Sequence, residues 1–181
     1  RFDPKIAGAI LFAPSADEDK YRRGVVGVVA GSDAYPGAGL LATFAASNTG
    51  VGMVRLNSTR RVEDLVLHYA PGVVTVGGRI QSGVIGPGCT NERYDDCREL
   101  AQFCIDSKLP LVIDAGALDL VKGLRDYADA HSRSLSRAIL TPHHGEAARL
   151  LTAIRFPVRM LMPTLPLLPR NLPRSRAPLS F

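Results

Sequence analysis

The chain has 181 residues, of which 46% are hydrophobic and 22% are charged, and its formal net charge is +5. This length and composition fit one globular domain with a substantial core. No apolar run approaches the ~18 residues of a membrane span, and acidic residues near the start do not fit a signal peptide. The basic excess is concentrated at the C-terminus without interleaved aromatic residues, so we expect neither a nucleic-acid partner nor a membrane.

The first predicted element is a strand, loop and helix in succession. The β-branched residues of 25–29 predict a buried strand, and a loop of small residues follows at 31–37. Apolar residues at helical spacing then predict a helix that begins near Gly37 and ends before Gly50. Free backbone N–H groups at such a helix start favour anionic ligands. A βα turn that needs glycine only for its dihedral angles explains the same pattern equally well.

Strands and helices alternate along the rest of the chain. Residues 91–107 predict a helix on which Cys97 and Cys104 share one face, so we expect both to be reduced core thiols. A polar, weakly helical connector is predicted at 60–68, a short helix or turn at 117–122, and an exposed polar segment at 126–133. This alternation predicts a three-layer α/β fold with a mainly parallel sheet. The further strands are predicted at 53–56, 73–76, 84–85, 109–113 and 138–140.

Four loops are predicted at the carboxyl ends of strands, where ligands of parallel sheets bind. In the loop 86–90, the tripeptide Gly86–Gly88 lets the backbone approach a ligand closely, or forms an ordinary turn. Asp114 closes a strand and either holds a hydroxyl or metal-bound water, or caps a helix. His143 is a candidate for a hydrogen bond to a ligand; Thr141 as a helix cap with Glu146 downstream is the structural alternative.

Taken together and in this order, the loops resemble those of the ADP- or ATP-dependent NAD(P)H-hydrate dehydratases, which belong to the ribokinase-like superfamily. The resemblance covers about residues 20–151, and TPHxGE after VIDAGAL after GPG is not a generic α/β pattern. The matching stretches are KYRRGVVGVVAGSDAYPGAGLLA (20–42), GVGMVR (50–55), VIGPG (84–88), LPLVIDAGAL (109–118) and ILTPHHGEAARLL (139–151).

The resemblance implies a cytoplasmic lyase that repairs damaged nicotinamide cofactors. In such enzymes ADP or ATP, with Mg²⁺, phosphorylates the hydroxyl of the hydrated ring, and loss of phosphate restores NADH or NADPH. Many relatives carry an epimerase domain before the dehydratase. The sequence leaves the oligomeric state open, a homo-oligomer being one of the alternatives. The resemblance places substrate-binding positions at Gly37, Ala38, Gly86, Gly88 and His143, with polar support from Asp114 and Glu146.

The sequence departs from the family after the TPHxGE motif. Family members continue with a glycine-rich GSGD loop that binds the nucleotide phosphates and holds the catalytic aspartate. Here Gly145 is the last glycine and Glu146 the last acidic residue. We therefore expect residues 20–154 to form a partial dehydratase domain, with a sheet incomplete at its C-terminal end, no assignable catalytic residue and no activity alone. Thr90 also stands where a glycine commonly closes the GPG loop.

The two ends of the chain differ from the predicted domain. Residues 1–19 lie where relatives have a linker. Residues 155–181 contain prolines every three to six positions, and arginine is their only charged residue type, which predicts a disordered tail. That tail is either a partner-binding segment or the product of a shifted reading frame. Two alternatives to the dehydratase remain: a catalytically inactive dinucleotide-binding or scaffold module whose tail recruits partners, and a ribokinase-like small-molecule kinase.

Overall fold

A computed structural model of the chain describes residues 19–153. The predicted linker, except for its last residue, and the predicted tail lie outside these residues. None of the described helices has the length and hydropathy needed to cross a membrane. The strands in this range are β1 (Val25–Val29), β2 (Met53–Asn57), β3 (Ser82–Ile85), β4 (Leu111–Ile113) and β5 (Ala138–Leu140). The α-helices in it are α1 (Pro36–Ser47), α2 (Arg60–Tyr69), α3 (Tyr94–Asp106), α4 (Val121–Ala130) and α5 (His144–Ala153).

The five strands form one sheet in the order β2-β1-β3-β4-β5, and every neighbouring pair is parallel. Since the strands run in one direction, their carboxyl ends and the loops that follow them lie along a single edge of the sheet. The predicted α/β fold with a mainly parallel sheet is therefore confirmed.

Helices cover both faces of this sheet and make three layers. Successive side chains of a strand point to opposite faces. Val25 and Val29 of β1 accordingly join a core cluster with α3 and α4, whereas Val26 and Val28 join a second cluster with α1 and α2. Cys97 and Cys104 are fully buried free thiols on the sheet-facing side of α3, as the helical spacing predicted.

Three predicted segments take a different form in the structure. Residues 60–69 form a regular helix, because Val62 and Val66 lie one turn apart and are both fully buried against the sheet. The strand predicted at 73–76 is reduced to one parallel bridge between Val74 and Arg55. Helix α4 includes residues 126–130 of the predicted polar segment, since Leu124 and Ala128 anchor it to the core.

Strand β5 ends the described sheet, and its apolar side chains are poorly covered. Ile139 and Leu140 point to opposite faces and remain 60% and 40% exposed. Both faces of the sheet are therefore apolar at this edge, and an edge of this kind favours pairing with another chain.

We expect the substitution Ile139→Lys to shift the protein from associated species towards monomer. A charge on an edge strand opposes edge-to-edge pairing. Sedimentation velocity measures the effect, and Ser136→Lys is the matched control because it adds the same charge at an exposed site just before the strand. Equal association of the two variants would contradict this role of the edge.

Candidate functional site

The loop after β1 and the loop after β3 meet at the carboxyl edge of the sheet. The Gly31 N–H donates a hydrogen bond to the Pro87 carbonyl oxygen at 2.7 Å. The Cα of Gly88 faces the start of α1 so closely that an added Cβ would collide with the Cβ of Ala38 and lie 3.1 Å from the Tyr35 carbonyl oxygen. The structure thus brings Ala38 and Gly88, two predicted site residues, into direct proximity.

The N-terminus of α1 is open to a ligand. Pro36 occupies the first turn, no side chain caps the helix, and the first turn carries no acidic residue. A Cβ built on Gly37 would meet no atom within 4 Å, so the space beside this residue is free. The Ala38 N–H donates to the Tyr35 carbonyl oxygen at 3.2 Å, whereas the Gly37 N–H and the helix dipole make this end attractive to anions.

Gly86 has a structural role that sequence reasoning did not foresee. Its φ is +108°, and an added Cβ would collide with the Asp114 carbonyl oxygen and lie 2.6 Å from the Ala117 Cβ. The close backbone approach at this glycine is therefore to the turn after β4. Gly86 fixes the base of the GPG loop, whereas Gly88 faces the start of α1.

Asp114 links the ends of two strands. Its side chain makes no helix-capping hydrogen bond, so the predicted capping alternative is wrong. Instead the Thr141 hydroxyl, just after β5, donates a hydrogen bond of 2.8 Å to Asp114 Oδ1. The structure pairs these residues because β4 and β5 are neighbours.

His143 and Glu146 form a reciprocal cap at the start of α5. His143 Nδ1 accepts hydrogen bonds from the N–H groups of Gly145 and Glu146 at 3.1 and 3.3 Å. In return, the His143 N–H donates to Glu146 Oε2 at 2.8 Å. This is a capping box with histidine at the cap position, so the predicted cap at Thr141 is wrong. The pairing leaves Nε2 as the N–H donor of the ring, 3.3 Å from Glu146 Oε1.

The predicted residues therefore fall into two groups along one edge. Ala38 and Gly88 form the first group, at β1 and β3. His143 belongs to the second group, at β5, two strands from β3 and hence roughly 10 Å along the edge. Its side chain is 68% exposed, so the ring is accessible from solvent.

Two cavities lie outside both groups. One of about 520 Å³ opens beside Arg55 and Phe103, on the face covered by α3. The other, of about 330 Å³, lies near Lys108 and Arg137 at the amino ends of the strands. Neither lining includes Ala38, Gly88 or His143, so neither cavity is the candidate site. We call the surface along the sheet edge at the start of α1, the GPG loop and His143 the crevice.

Sequence reasoning missed the loop after β2, which lies at the same edge. The Ser58 hydroxyl donates to the Ala30 carbonyl oxygen at 2.6 Å, and the Thr59 hydroxyl donates to Asp33 Oδ1 at 2.7 Å. These bonds tie the end of β2 to the loop after β1. The polar run Asn57-Ser58-Thr59 directly after a predicted strand was the available signal.

A buried thiol pair lies beneath the GPG loop. The Cys97 thiol, which hydrogen-bonds to the Cys89 sulfur, holds the pKa of Cys89 below its usual value. The same contact, followed by burial, raises the pKa of Cys97. Within residues 19–153 there is no group of three or more His, Cys, Asp or Glu side chains arranged to hold a metal ion.

The fold defines a class of proteins. The structure is similar to a ribokinase-like superfamily protein from Enterococcus faecalis, with a TM-score of 0.66 and 20% sequence identity over 83% of this chain and 56% of that one. It is also similar to the ADP/ATP-dependent NAD(P)H-hydrate dehydratase of Bacillus subtilis co-crystallized with ATP/Mg²⁺. There the TM-score is 0.60 and the identity 25%, covering 80% of this chain and 56% of that one. The ribokinase-like fold predicted from the sequence is thus confirmed.

The sequence comparisons define the family within that class. A family model for NAD(P)H-hydrate dehydratases matches residues 26–159. The chain is 40% identical over 145 residues to the bifunctional NAD(P)H-hydrate repair enzyme Nnr of Mycobacterium tuberculosis, covering 77% of this chain and 29% of that enzyme. It is 31% identical over 150 residues to the ATP-dependent (S)-NAD(P)H-hydrate dehydratase of Ixodes scapularis, covering 77% and 48% respectively. The chain belongs to the NAD(P)H-hydrate dehydratase family, and it spans less than half the length of these two relatives.

Proposed function

We propose that this chain binds hydrated NADH or NADPH in the crevice, over the contact between the start of α1 and the GPG loop. The close approach of Ala38 and Gly88 carries the proposal, because two backbone segments meet there with almost no side chain between them. A dinucleotide diphosphate suits the uncapped helix start beside them. Membership in the family supports the hydrated nicotinamide ring as the part that is recognised.

Each predicted residue receives a role from its contacts. Gly37 presents its N–H group at the start of α1, Ala38 adds almost no side chain there, and Gly88 permits close approach. The exposed Nε2–H of His143 donates to the bound ring or its amide, with Glu146 orienting the imidazole. Asp114, held by Thr141, supplies a fixed acceptor between the two groups.

The family uses a nucleotide and Mg²⁺, but the residues of this chain support only part of that chemistry. A bound nucleotide supplies the phosphoryl group, but residues 19–153 offer no metal-holding set, and the sequence has neither glycine nor acidic residue after Glu146. We therefore assign no step through these groups. We propose that the 181-residue chain binds the hydrate without nucleotide-dependent turnover, since positioned phosphates and a base supply most of the rate in phosphoryl transfer.

The partners and location follow from the same reasoning. An epimerase domain, fused or separate, is a proposed partner because the mycobacterial relative is bifunctional. A cytoplasmic location is supported by the free thiols of Cys89, Cys97 and Cys104, which are typical of a reducing compartment. The exposed β5 edge supports self-association.

Calorimetric titration of the chain with hydrated NADH tests this function. We expect binding of the hydrate that His143→Asn weakens about five-fold, the equivalent of ~1 kcal/mol for one hydrogen bond. Asparagine is a good helix cap, so this variant removes the ring while keeping the start of α5.

The titration has two informative controls. Intact NADH shares the diphosphate and should bind more weakly, because it lacks the ring hydroxyl. A chain that binds neither dinucleotide, or a His143→Asn variant with unchanged affinity and melting temperature, would contradict the assigned roles.

A further inference from the structure

Arg93 is a buried arginine that the proposed function leaves without a role. It is the last residue of the short 3₁₀ turn Asn91–Arg93, which lies between the GPG loop and α3, and only 9% of its surface is exposed. Arginine is among the residues least often buried, and a buried guanidinium needs partners.

The Arg93 guanidinium contacts residues of two separate elements, the end of β2 and helix α3. Nη2 donates to the backbone oxygen and to Oδ1 of Asn57, both at 2.9 Å, and Nη1 lies 2.9 Å from Asp96 Oδ2. Asn57 is the last residue of β2, whereas Arg93 follows Gly88 by five positions. Strand β1 lies between β2 and β3 in the sheet, so Arg93 ties the segment that follows the β3 loop to the end of β2, across the end of β1.

This link closes a chain of contacts around the crevice. Asn57 is followed by Ser58, which hydrogen-bonds to Ala30 at the end of β1, and Gly31 hydrogen-bonds in turn to Pro87 of the GPG loop. The position of the GPG loop relative to the start of α1 is thus set from both sides. Arg93 is the member of this chain that ties the segment after the GPG loop to the end of β2.

Stability alone does not account for the choice of arginine. Its Nε and the Thr90 hydroxyl oxygen are buried without a hydrogen-bond partner among the described residues. An unpaired buried donor costs stability, and replacing both partners of a buried ion pair by apolar side chains is often neutral. Removing one partner is costly when the other stays buried, but the Asp96 side chain is 33% exposed and can be solvated. An apolar side chain of similar length would avoid that cost but would lose both bonds to Asn57.

We propose that Arg93 is a positioning residue of the dinucleotide site: it fixes the GPG loop at the distance from α1 that the ligand requires. The identity of the ligand rests on the proposed function. The effect of Arg93 on the loop rests on the contacts described above alone. Arg93 does not touch the ligand, because its guanidinium is buried and is bound through Nη1 and Nη2 to Asp96 and Asn57.

The test compares Arg93→Met with Arg98→Met in the full 181-residue chain. Arg98 is the matched control because it also pairs with an aspartate of α3, Asp95, but on the exposed side of the helix. Three quantities are measured: affinity for hydrated NADH, melting temperature, and hydrogen exchange of the amides in residues 86–90.

For Arg93→Met we expect about ten-fold weaker binding and clearly faster exchange in residues 86–90, with a melting temperature within a few degrees of the unaltered chain. Arg98→Met should change none of the three. Unchanged exchange in Arg93→Met, or a large fall in melting temperature with uniformly faster exchange, would overturn the proposal. If the unaltered chain binds no hydrated NADH, the proposed function fails, and the exchange comparison still decides whether Arg93 positions the loop.

Discussion

Ala38→Phe is expected to abolish binding of the hydrated dinucleotide, with a loss of at least ten-fold in affinity, or ~1.4 kcal/mol. The Ala38 side chain already abuts the backbone at Gly88, so a phenyl ring here must fill the crevice or displace the GPG loop. In either case the ligand loses access to the N–H groups at the start of α1. Calorimetric titration measures the loss.

The matched control for this variant is Ala45→Phe. It makes the same change on the same helix, at an exposed position more than one turn from the crevice. We expect this control to bind as the unaltered chain does. Equal affinities for all three proteins would show that the dinucleotide binds elsewhere.

Gly86→Ala is expected to destabilise the fold by about 3 kcal/mol or more. The left-handed conformation of Gly86 costs any other residue ~1–2 kcal/mol, and overpacking against backbone costs a further ~1–3 kcal/mol. The added methyl group would collide with the Asp114 carbonyl oxygen, which cannot rotate away as a side chain could. The midpoint of urea denaturation measures the change.

Gly123→Ala is the matched control for Gly86→Ala, and we expect it to stabilise the fold rather than destabilise it. Gly123 lies in α4 with no atom within 4 Å of an added Cβ. Alanine there should stabilise the fold by about 0.5–1 kcal/mol, because it favours helix and restricts the unfolded chain. A Gly86→Ala midpoint as high as that of the unaltered chain would mean that the contact between the loops is not as close as described.

The parts of the fold that follow from local pattern were predictable. The β-branched run of β1 and the helical spacing of Cys97 and Cys104 in α3 can both be recognised in the sequence. Helix α2 was underestimated because Val62 and Val66 are its only buried residues and charged side chains dominate its first half. The bridge at Val74 could not be predicted, since a single paired residue has no periodicity.

The site was predictable to the level of loops, but its contacts were not. Parallel strands bring their carboxyl ends together, which is why four separate loops could be assigned to one edge. Strand order decides the rest: Asp114 meets Thr141 because β4 adjoins β5. Arg93 escaped notice because an arginine at a polar helix start is usually solvated, and its burial depends on where β2 ends.

The most direct test of the crevice is a map of backbone amide chemical shifts as hydrated NADH is added to the isotope-labelled chain. We expect the largest changes at Gly37, Ala38 and Gly88, and smaller changes at His143 and Gly145. Changes centred instead on the cavities beside Phe103 or Arg137, with the GPG loop unaffected, would contradict the assignment of the site.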